Sequence, residues 1–515
     1  MKRIPALDSI RGLLLVIMTV NHLIWISGGN SVIQLFSLQP LGQFGAAEGF
    51  ILVSGFLAGA IYSRPKLSNL EIREKAWSRV ASIYRYHLLC LVIVFAWFAY
   101  CLAYLPDFAS VIEPNLGSFA ESPWSSILLS VFLINKPSYL EILPLYIMYM
   151  ALLPFVIAAY RRGWVVWVLL VSVLIWAASA YVSEAILISL LPDVALQTGY
   201  FDPFAWQLLF VGASAVGFAS HQPAFNWYSK PATILVGSLA LLILAAHHGA
   251  FLSLGIHQGV LYGLADKPEL GWLRLLNITL WAYLIAVVIK FRPTWLEARP
   301  LAYIGRHSLQ VFAWHTVMIY LMAPMLFAQR FSSHYEWLIL ICLASIWIPA
   351  WMRESKATLS QIKRWSLGGG GAIAAGLLLS VWFQAEPAPE IVVNEKGLAP
   401  ITVKVANIKG DGPVIVLVYG EKDNLMGMPS IHAQGYSVAQ VTAGVQLDNI
   451  PVGKYAIFAY QDNDGNQQLT MGPGGMPSEG FGYSNNPALQ GVPSMDQIKF
   501  SHPEKAHQVI QFWNF

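Results

Sequence analysis

Long apolar stretches alternate with short polar segments over the first three quarters of the chain. A stretch of about 20 apolar residues is long enough to cross the hydrocarbon core of a bilayer as an α-helix. Two further apolar stretches, 124–134 and 185–191, are shorter and predict interfacial or re-entrant pieces. The predicted spans are residues 9–27, 43–62, 88–105, 139–158, 164–182, 203–220, 231–250, 271–290, 307–327, 336–352 and 367–384.

The pattern changes in the tail, residues 390–515. Apolar and polar residues alternate in short runs at 401–406, 414–419, 455–460 and 509–513, and clusters of Gly, Pro and Asn separate the runs. A period of two with such turn residues is typical of short β-strands. The chain is therefore predicted to be a polytopic α-helical membrane bundle of ten or eleven transmembrane helices with a C-terminal all-β sandwich of six or seven strands.

The Lys and Arg residues predict the orientation of the spans, because they concentrate on the cytoplasmic side. With the N-terminus in the cytoplasm, 20 of those before residue 385 fall on cytoplasmic segments and four on outside segments. Segment 63–86 has six, whereas its outside counterpart 106–123 has none. The eleventh span then places the tail in the periplasm, behind a linker that Pro387 and Pro389 stiffen. The predicted domains are 1–365, 366–389 and 390–515.

Composition agrees with a membrane protein. Of 515 residues, 56% are hydrophobic and 11% are charged, whereas an ordinary soluble domain is about a quarter charged. The net charge of +3 points to no particular partner, and no motif indicates nucleic acid binding. Cys90, Cys101 and Cys342 lie in apolar runs, and their spacing suits neither a disulfide framework nor a metal site. We interpret them as small buried hydrophobic residues and predict no bound metal.

Ionisable residues inside membrane spans are costly and usually functional. The first span contains Asp8, Arg11 and His22. Arg11 and His22 are 11 residues apart, which is about 16 Å and three turns along a helix, so both project to nearly the same side. We interpret Arg11 as a cationic inner end for a phosphate-bearing donor and His22 as a base deeper in the membrane. The alternatives are an interfacial Asp8–Arg11 ion pair and a structural histidine.

Glu48 lies in the second span among small residues that allow close helix packing. It follows the outer start of its span by about five residues, and His22 precedes the outer end of the first span by about five. The two side chains are therefore predicted to meet at similar depth. A carboxylate that binds an imidazole fixes its tautomer and raises its basicity, as a general base requires. A buried structural pair is the alternative.

Further candidates lie at the inner surface. Arg85 precedes the third span, and Arg306 and His307 open the ninth. Together with Arg11 they could bind phosphates. The general excess of Lys and Arg on the cytoplasmic side is the alternative explanation.

Three candidates lie farther from that surface. Gln310 and His315 follow in the ninth span, where a polar residue is harder to explain by the interface. Glu141 lies at the outer start of the fourth span and either binds a hydroxyl-rich acceptor or ends a helix in water.

In the tail, residues 462–466 resemble the start of a calcium loop. The twelve-residue pattern fails, because Thr470 and Met471 follow where acidic ligands are expected. We favour a tight turn between strands.

Four motifs carry a family resemblance: residues 7–12 with His22, residues 45–55 with Glu48, residues 140–146 with Glu141 and Tyr146, and residues 306–312 with His315. In kind and order they resemble the motifs of the OpgC family of membrane acyltransferases, a branch of the acyltransferase-3 superfamily. Residues 1–365 therefore resemble an inner-membrane enzyme that transfers succinyl groups to periplasmic glucans. That family is described with ten spans and both ends inside, so the eleventh span and the tail are additions. The tail resembles small exported β-domains of unassigned function, on residues 455–466 and 472–486.

The resemblance implies O-acyl transfer in the bacterial inner membrane. The expected donor is a cytoplasmic acyl-CoA, succinyl-CoA in that family, and no permanently bound cofactor is expected. His22, oriented by Glu48, would deprotonate a hydroxyl of a periplasmic glycan, while His315 and Gln310 would stabilise the oxyanion. The residues expected to bind substrates are Asp8, Arg11, Arg85, Glu141, Tyr146, Arg306, His307 and Gln310.

A transporter or flippase of small molecules is the competing class. His22, Glu48 and His315 would then form a proton relay, and the tail would be a ligand-binding module. Many transporters are built from internal repeats, and the sequence has no obvious one, which weakens this alternative.

Overall fold

The computed structural model describes residues 4–355, 361 and 397–514, apart from gaps at 30, 38, 106–108, 110–111, 117–118, 121, 191–196, 224, 255–257, 331, 333, 424, 426, 428, 471–476, 488–492 and 494. The chain divides into two compact units, residues 1–26, 31–248 and 260–378, and residues 27–30, 249–259 and 379–515. The first contains the long apolar helices and the second the β-strands. The predicted eleventh span, 367–384, lies outside the described residues.

The helical part of the chain follows the apolar stretches closely. Short 3₁₀ segments lie at Val32–Phe36, Glu113–Asn115, Leu252–Leu254 and Pro293–Leu296. The helices are α1 Pro5–Ser27, α2 Ala46–Tyr62, α3 Asn69–Tyr104, α4 Pro123–Val131, α5 Ile142–Arg161, α6 Val165–Leu190, α7 Pro203–Ala219, α8 Lys230–His247, α9 Gln258–Leu264, α10 Trp272–Phe291, α11 Arg299–Arg306, α12 Ser308–Gln329, α13 Tyr335–Ser345 and α14 Trp347–Glu354.

Among the described residues, seven helical segments are long and apolar enough to cross a membrane: α1, α3, α5, α8, α10, α12 and the joined α13 and α14. Shorter apolar helices, α2, the first part of α6 and α7, occupy the other three of the first ten predicted positions. The protein is therefore a multi-pass membrane protein with a helical bundle, as the apolar pattern predicts.

Helix α3 is longer than the third predicted span. It has 36 residues and begins at Asn69, so most of the basic segment 63–86 is helical rather than a loop. Ser68 and Glu71 start the helix as a capping box: the Ser68 hydroxyl accepts from the Glu71 N–H at 3.2 Å, and the Glu71 carboxylate accepts from the Ser68 N–H at 2.7 Å. A helix of this length measures about 54 Å, more than the hydrocarbon core of about 30 Å. Its basic first half is therefore expected to extend beyond the bilayer.

Helices α2 and α7 pack closely against each other, backbone against backbone. Gly59 of α2 faces the backbone of Ser214, and Gly217 of α7 faces the backbone of Phe56. A Cβ atom at either glycine would overlap a backbone oxygen of the other helix. Small residues let membrane helices approach in this way, so that packing rather than the hydrophobic effect holds them together.

The second unit contains a β-sandwich of two sheets. The strands are β1 Leu398–Ala406, β2 Val414–Gly420, β3 His432–Tyr436, β4 Val445–Pro451, β5 Gly453–Gln461, β6 Phe481–Tyr483, β7 Lys499–His502 and β8 His507–Gln511. One sheet has the order β4-β1-β8, and the other has β3-β2-β5-β6, with β7 also paired to β5. Valine and isoleucine side chains of both sheets, among them Val403, Val416, Ile457 and Ile510, form one buried cluster between them.

The predicted sandwich is confirmed, with more strands than expected. The four runs identified from the sequence correspond to β1, β2, β5 and β8. The described residues contain eight strands instead of six or seven, because β6 and β7 have only three and four residues and show too little alternation to be recognised. Two short helices, α15 Val438–Ala443 and α16 Met495–Ile498, interrupt the strands.

Candidate functional site

Two histidines from distant parts of the sequence meet in the helical unit. Nδ1 of His22, near the end of α1, lies 2.9 Å from Nε2 of His315 in α12. His315 is fully buried, and its Nδ1 lies 3.0 Å from the carbonyl oxygen of Phe312. His22 is half-buried. The sequence indicated both histidines as candidates, but it did not predict that they are partners.

For two neutral imidazoles, these distances imply one arrangement of the hydrogen atoms. A carbonyl oxygen only accepts, so Nδ1 of His315 carries the hydrogen and its Nε2 presents a lone pair. Nδ1 of His22 then donates to that lone pair, which leaves Nε2 of His22 as the basic nitrogen. His315 therefore orients His22, the part that the sequence analysis gave to Glu48.

Glu48 pairs with Arg274, and the predicted contact between Glu48 and His22 is wrong. Oε1 of Glu48 accepts a hydrogen bond from the Arg274 guanidinium at 2.7 Å, and Oε2 accepts from the Gly45 N–H at 3.0 Å. The two charged side chains are 0% and 1% exposed. A buried carboxylate is stabilised better by a guanidinium, which is always charged, than by a neutral imidazole. Nε of Arg274 also donates to the Ala265 carbonyl at 2.8 Å, which fixes the pair in the bundle.

Lys267 lies beside this pair and was missed by the sequence analysis. Its Nζ lies 5.5, 5.4 and 5.6 Å from the ring centroids of Trp25, Tyr200 and Phe201, distances at which a cation is attracted to aromatic faces. It is close enough to His22 to interact with it electrostatically. One signal could have found it: Lys267 is one of only four Lys and Arg on the predicted outside segments.

Further aromatic side chains surround His22. Its ring centroid lies 4.6 Å from that of Tyr139 and 5.9 Å from that of Trp25. Tyr139 in turn contacts Tyr320, whose hydroxyl donates to the Ser138 carbonyl at 2.8 Å. The histidine therefore lies against the rings of Tyr139 and Trp25, and Tyr320, which a hydrogen bond fixes, packs behind Tyr139.

Glu141 lies immediately before α5 and is 5% exposed, so it is not a helix end in water. Its Oε2 accepts from the Tyr200 N–H at 2.6 Å. Because Tyr200 and Phe201 supply two of the rings around Lys267, Glu141 positions these aromatic residues. The other predicted role, acceptor binding, stays a prediction.

A second polar region lies around Arg11, nearer the beginning of α1. Arg11, Ser54, Tyr62, Arg79 and Tyr146 are among the residues that line a cavity of about 180 Å³. Arg79 did not stand out in the sequence, because it is one of six Lys and Arg in segment 63–86. Two guanidinium groups on one cavity suit a phosphate-bearing ligand.

Of the three arginines predicted to bind phosphates, Arg11, Arg85 and Arg306, only Arg11 lines this cavity. Arg85 is exposed and follows Arg79 by six residues, about one and two thirds turns of α3, so it projects from another face. Arg306 lies 3.3 Å from the Glu354 carboxylate, so an acidic partner already neutralises it.

The remaining candidates have structural partners. His307 lies 3.2 Å from the same Glu354 carboxylate. Gln310 donates to the Tyr86 hydroxyl at 3.2 Å. The backbone carbonyl of Asp8 lies against Gly305, where α1 and α11 approach each other. Arg11 donates to the Ser308 hydroxyl, which links the first helix to the start of α12.

Comparison with known families identifies both parts of the chain. Residues 3–358 match the family described as OpgC protein. The chain belongs to the OpgC family. Residues 403–511 match a family of uncharacterized proteins conserved in bacteria, DUF2141. The two resemblances carried by the sequence motifs are therefore confirmed. No curated protein and no solved structure matches the chain.

The OpgC match includes all residues of the histidine pair, the Glu48–Arg274 pair and the Arg11 cavity. The β-sandwich is thus an addition to a membrane protein of the OpgC family, and the candidate site belongs to the family's own part of the chain.

Proposed function

We propose that the protein transfers an acyl group from a cytoplasmic acyl-CoA to a hydroxyl of a periplasmic glycan, in the bacterial inner membrane. The observation that carries the proposal is the His22–His315 pair, in which a half-buried histidine presents Nε2 as a base. Membership of the OpgC family supports acyltransferase chemistry. By family resemblance the donor is succinyl-CoA and the acceptor a glucan.

The donor would bind at the Arg11 cavity, with its phosphates at Arg11 and Arg79. Arg11 and His22 lie on the same helix, about 16 Å apart along its axis. The extended thioester arm of acyl-CoA would carry the acyl group over this distance toward His22. Holding both substrates in line supplies much of the rate enhancement of such a reaction.

His22 acts as the general base in this proposal. Its Nε2 takes the proton from the acceptor hydroxyl while the hydroxyl oxygen attacks the thioester carbonyl carbon. The carbon–sulfur bond breaks, the ester forms, and the departing CoA thiolate takes the proton from His22. A two-step route, in which Nε2 first accepts the acyl group itself, uses the same geometry. Trapping of labelled acyl-enzyme in the absence of acceptor distinguishes the two routes.

Lys267 and its rings would bind the groups that meet at His22. A succinyl group ends in a carboxylate, and a half-buried lysine is a suitable partner for it. The faces of Trp25, Tyr139 and Tyr200 offer surfaces on which a sugar ring can stack.

The first prediction is that His22→Ala abolishes acyl transfer, because the base is removed. The measurement is transfer of labelled succinyl from succinyl-CoA to a glucan in proteoliposomes, with product identification by mass spectrometry. His334→Ala, which changes an exposed histidine before α13, is the control and should retain activity. Normal transfer by correctly inserted His22→Ala protein would refute the proposal.

The structure gives less support to a proton-coupled transporter. The hydrogen-bond chain from His22 ends at the Phe312 carbonyl, which carries no proton, and Glu48 is occupied by Arg274. Counterflow of a small solute in proteoliposomes without acyl-CoA consumption would favour that class instead.

A further inference from the structure

Three carboxylates converge at one end of the larger sheet of the β-sandwich. Asp462 directly follows β5, Asp464 comes two residues later, and Glu479 precedes β6. One oxygen of each lies within 4.8 Å of the others. The strands are antiparallel, with Tyr460 opposite Phe481, so the same register brings Asp462 opposite Glu479.

Two of these three carboxylates lie where little water reaches, whereas Asp464 is exposed. Asp462 and Glu479 are 3% and 5% exposed. Like charges directly opposite each other destabilise a sheet, and a buried charge is costly unless a partner compensates it. In the described part of the chain, no lysine or arginine forms an ion pair with Asp462, Asp464 or Glu479. A bound cation would compensate these charges.

Oδ1 of Asp462 is an independent sign of a ligand. Oδ2 of this residue accepts from the Gln467 N–H at 3.1 Å, but Oδ1 is buried and has no hydrogen-bond partner among the described residues. Buried polar atoms almost always have one. Backbone N–H groups of Asn463 and Thr470 hold the two oxygens of Glu479, at 2.7 and 2.8 Å. The Glu479 carboxylate is therefore fixed in place beside Asp462.

We infer that these three side chains form a calcium-binding site. Asp462 and Asp464 supply carboxylates two positions apart, the spacing of the first two ligands in calcium loops. Asn466 is not a ligand, because its amide NH₂ donates to the Asp464 carboxylate at 3.0 Å. The sequence lacks the acidic ligand expected at Thr470, and Glu479 supplies a carboxylate from the neighbouring strand instead. Calcium accepts an irregular set of six to eight oxygens, whereas magnesium requires near-ideal octahedral geometry. This mixed set therefore favours calcium.

The test is calorimetric titration of calcium chloride into the purified full-length protein in detergent, after treatment with EDTA. We expect one calcium ion per chain, with a dissociation constant of about 10⁻⁴–10⁻³ M, as in extracellular calcium modules. Asp462→Asn should abolish this binding, because it removes the charge of the oxygen that lacks a partner. Asp448→Asn, an exposed aspartate on β4, should leave it unchanged.

Thermal unfolding distinguishes a lost site from a misfolded domain. Calcium should raise the melting temperature of the wild type and of Asp448→Asn, but not that of Asp462→Asn. In EDTA the Asp462→Asn protein should melt at or above the wild-type temperature, because the repulsion from Glu479 and Asp464 is relieved. No binding by the wild type at millimolar calcium, equal binding of magnesium, or calcium binding that survives both Asp462→Asn and Glu479→Gln would overturn the inference.

Discussion

One hydrogen bond of 2.9 Å joins His315 to His22, and the Phe312 carbonyl fixes His315 in turn. If His315 is replaced by Ala, Nδ1 of His22 loses its acceptor and the ring is free to adopt the other tautomer. We predict that His315→Ala lowers kcat by about 10²–10⁴-fold, the size of effect expected when a general base or its orientation is lost. Steady-state succinyl transfer in proteoliposomes measures this change.

Thr316→Val is the matched control for this prediction. The Thr316 hydroxyl lies 3.4 Å from Nδ1 of His315, the nitrogen that faces the Phe312 carbonyl. It donates to that carbonyl as well and takes no part in the contact with His22. This variant should keep nearly full activity. Equal losses in both variants would mean that His315 serves packing alone, and a wild-type kcat in His315→Ala would remove it from the site.

The candidate site residues also show which features could be predicted from the sequence and which could not. His22, Glu48 and His315 could be found because ionisable residues are rare in apolar spans. Their partners could not, since Arg274 is 226 positions from Glu48 and His315 is 293 from His22. A similar depth in the membrane was compatible with a His22–Glu48 contact, but depth does not determine which faces of the helices meet. Only the packing of the bundle does.

Among the helices, the contact of α2 with α7 requires glycine at position 217, because a side chain there would meet the backbone of α2. A Cβ at Gly217 would overlap the Phe56 carbonyl oxygen and crowd the Ala60 N–H. Backbone atoms cannot move aside as a flexible side chain can. We therefore predict that Gly217→Ala destabilises the bundle by about 1–3 kcal/mol, as overpacking does. Thermal unfolding in detergent measures the change.

Gly212 offers a control on the same helix. A Cβ at Gly212 meets nothing within 4 Å, so Gly212→Ala has no steric cost. Alanine is the better helix former by about 0.5–1 kcal/mol, and this variant should be as stable as the wild type or more so. If both variants lose stability equally, the cost comes from the helix itself and not from its contact with α2.

Hydropathy predicts the helices well wherever the whole helix is apolar. The first ten predicted spans each coincide with an apolar helix. The polar beginning of α3 was missed because a hydropathy window does not register a charged helix. The capping box of Ser68 and Glu71 was the available signal for its start. Strands β3, β4, β6 and β7 were not among the runs identified from the sequence, and β6 and β7, with three and four residues, show too little alternation to be recognised.

For the molecule as a whole, the distribution of charge predicts which side faces the cytoplasm. The first half of α3 carries Arg73, Lys75 and Arg79 and extends beyond the apolar part of the helix. The positive-inside rule places this basic end in the cytoplasm. An odd number of spans before the tail, as the sequence predicts, would place the β-sandwich on the opposite side of the membrane.

Cysteine labelling tests this arrangement, because the background is low: the native Cys90, Cys101 and Cys342 are all buried. Gln434 on β3 and Ser78 on α3 are exposed, so a cysteine at either position is accessible to a reagent on its own side. We predict that a membrane-impermeant maleimide labels Gln434→Cys in cells whose inner membrane is intact, and labels Ser78→Cys only after lysis. The reverse pattern would mean that the protein has the opposite orientation in the membrane, and that the Arg11 cavity is not accessible to cytoplasmic acyl-CoA. Labelling of both before lysis would place the tail on the same side as α3, which requires an even number of spans between them.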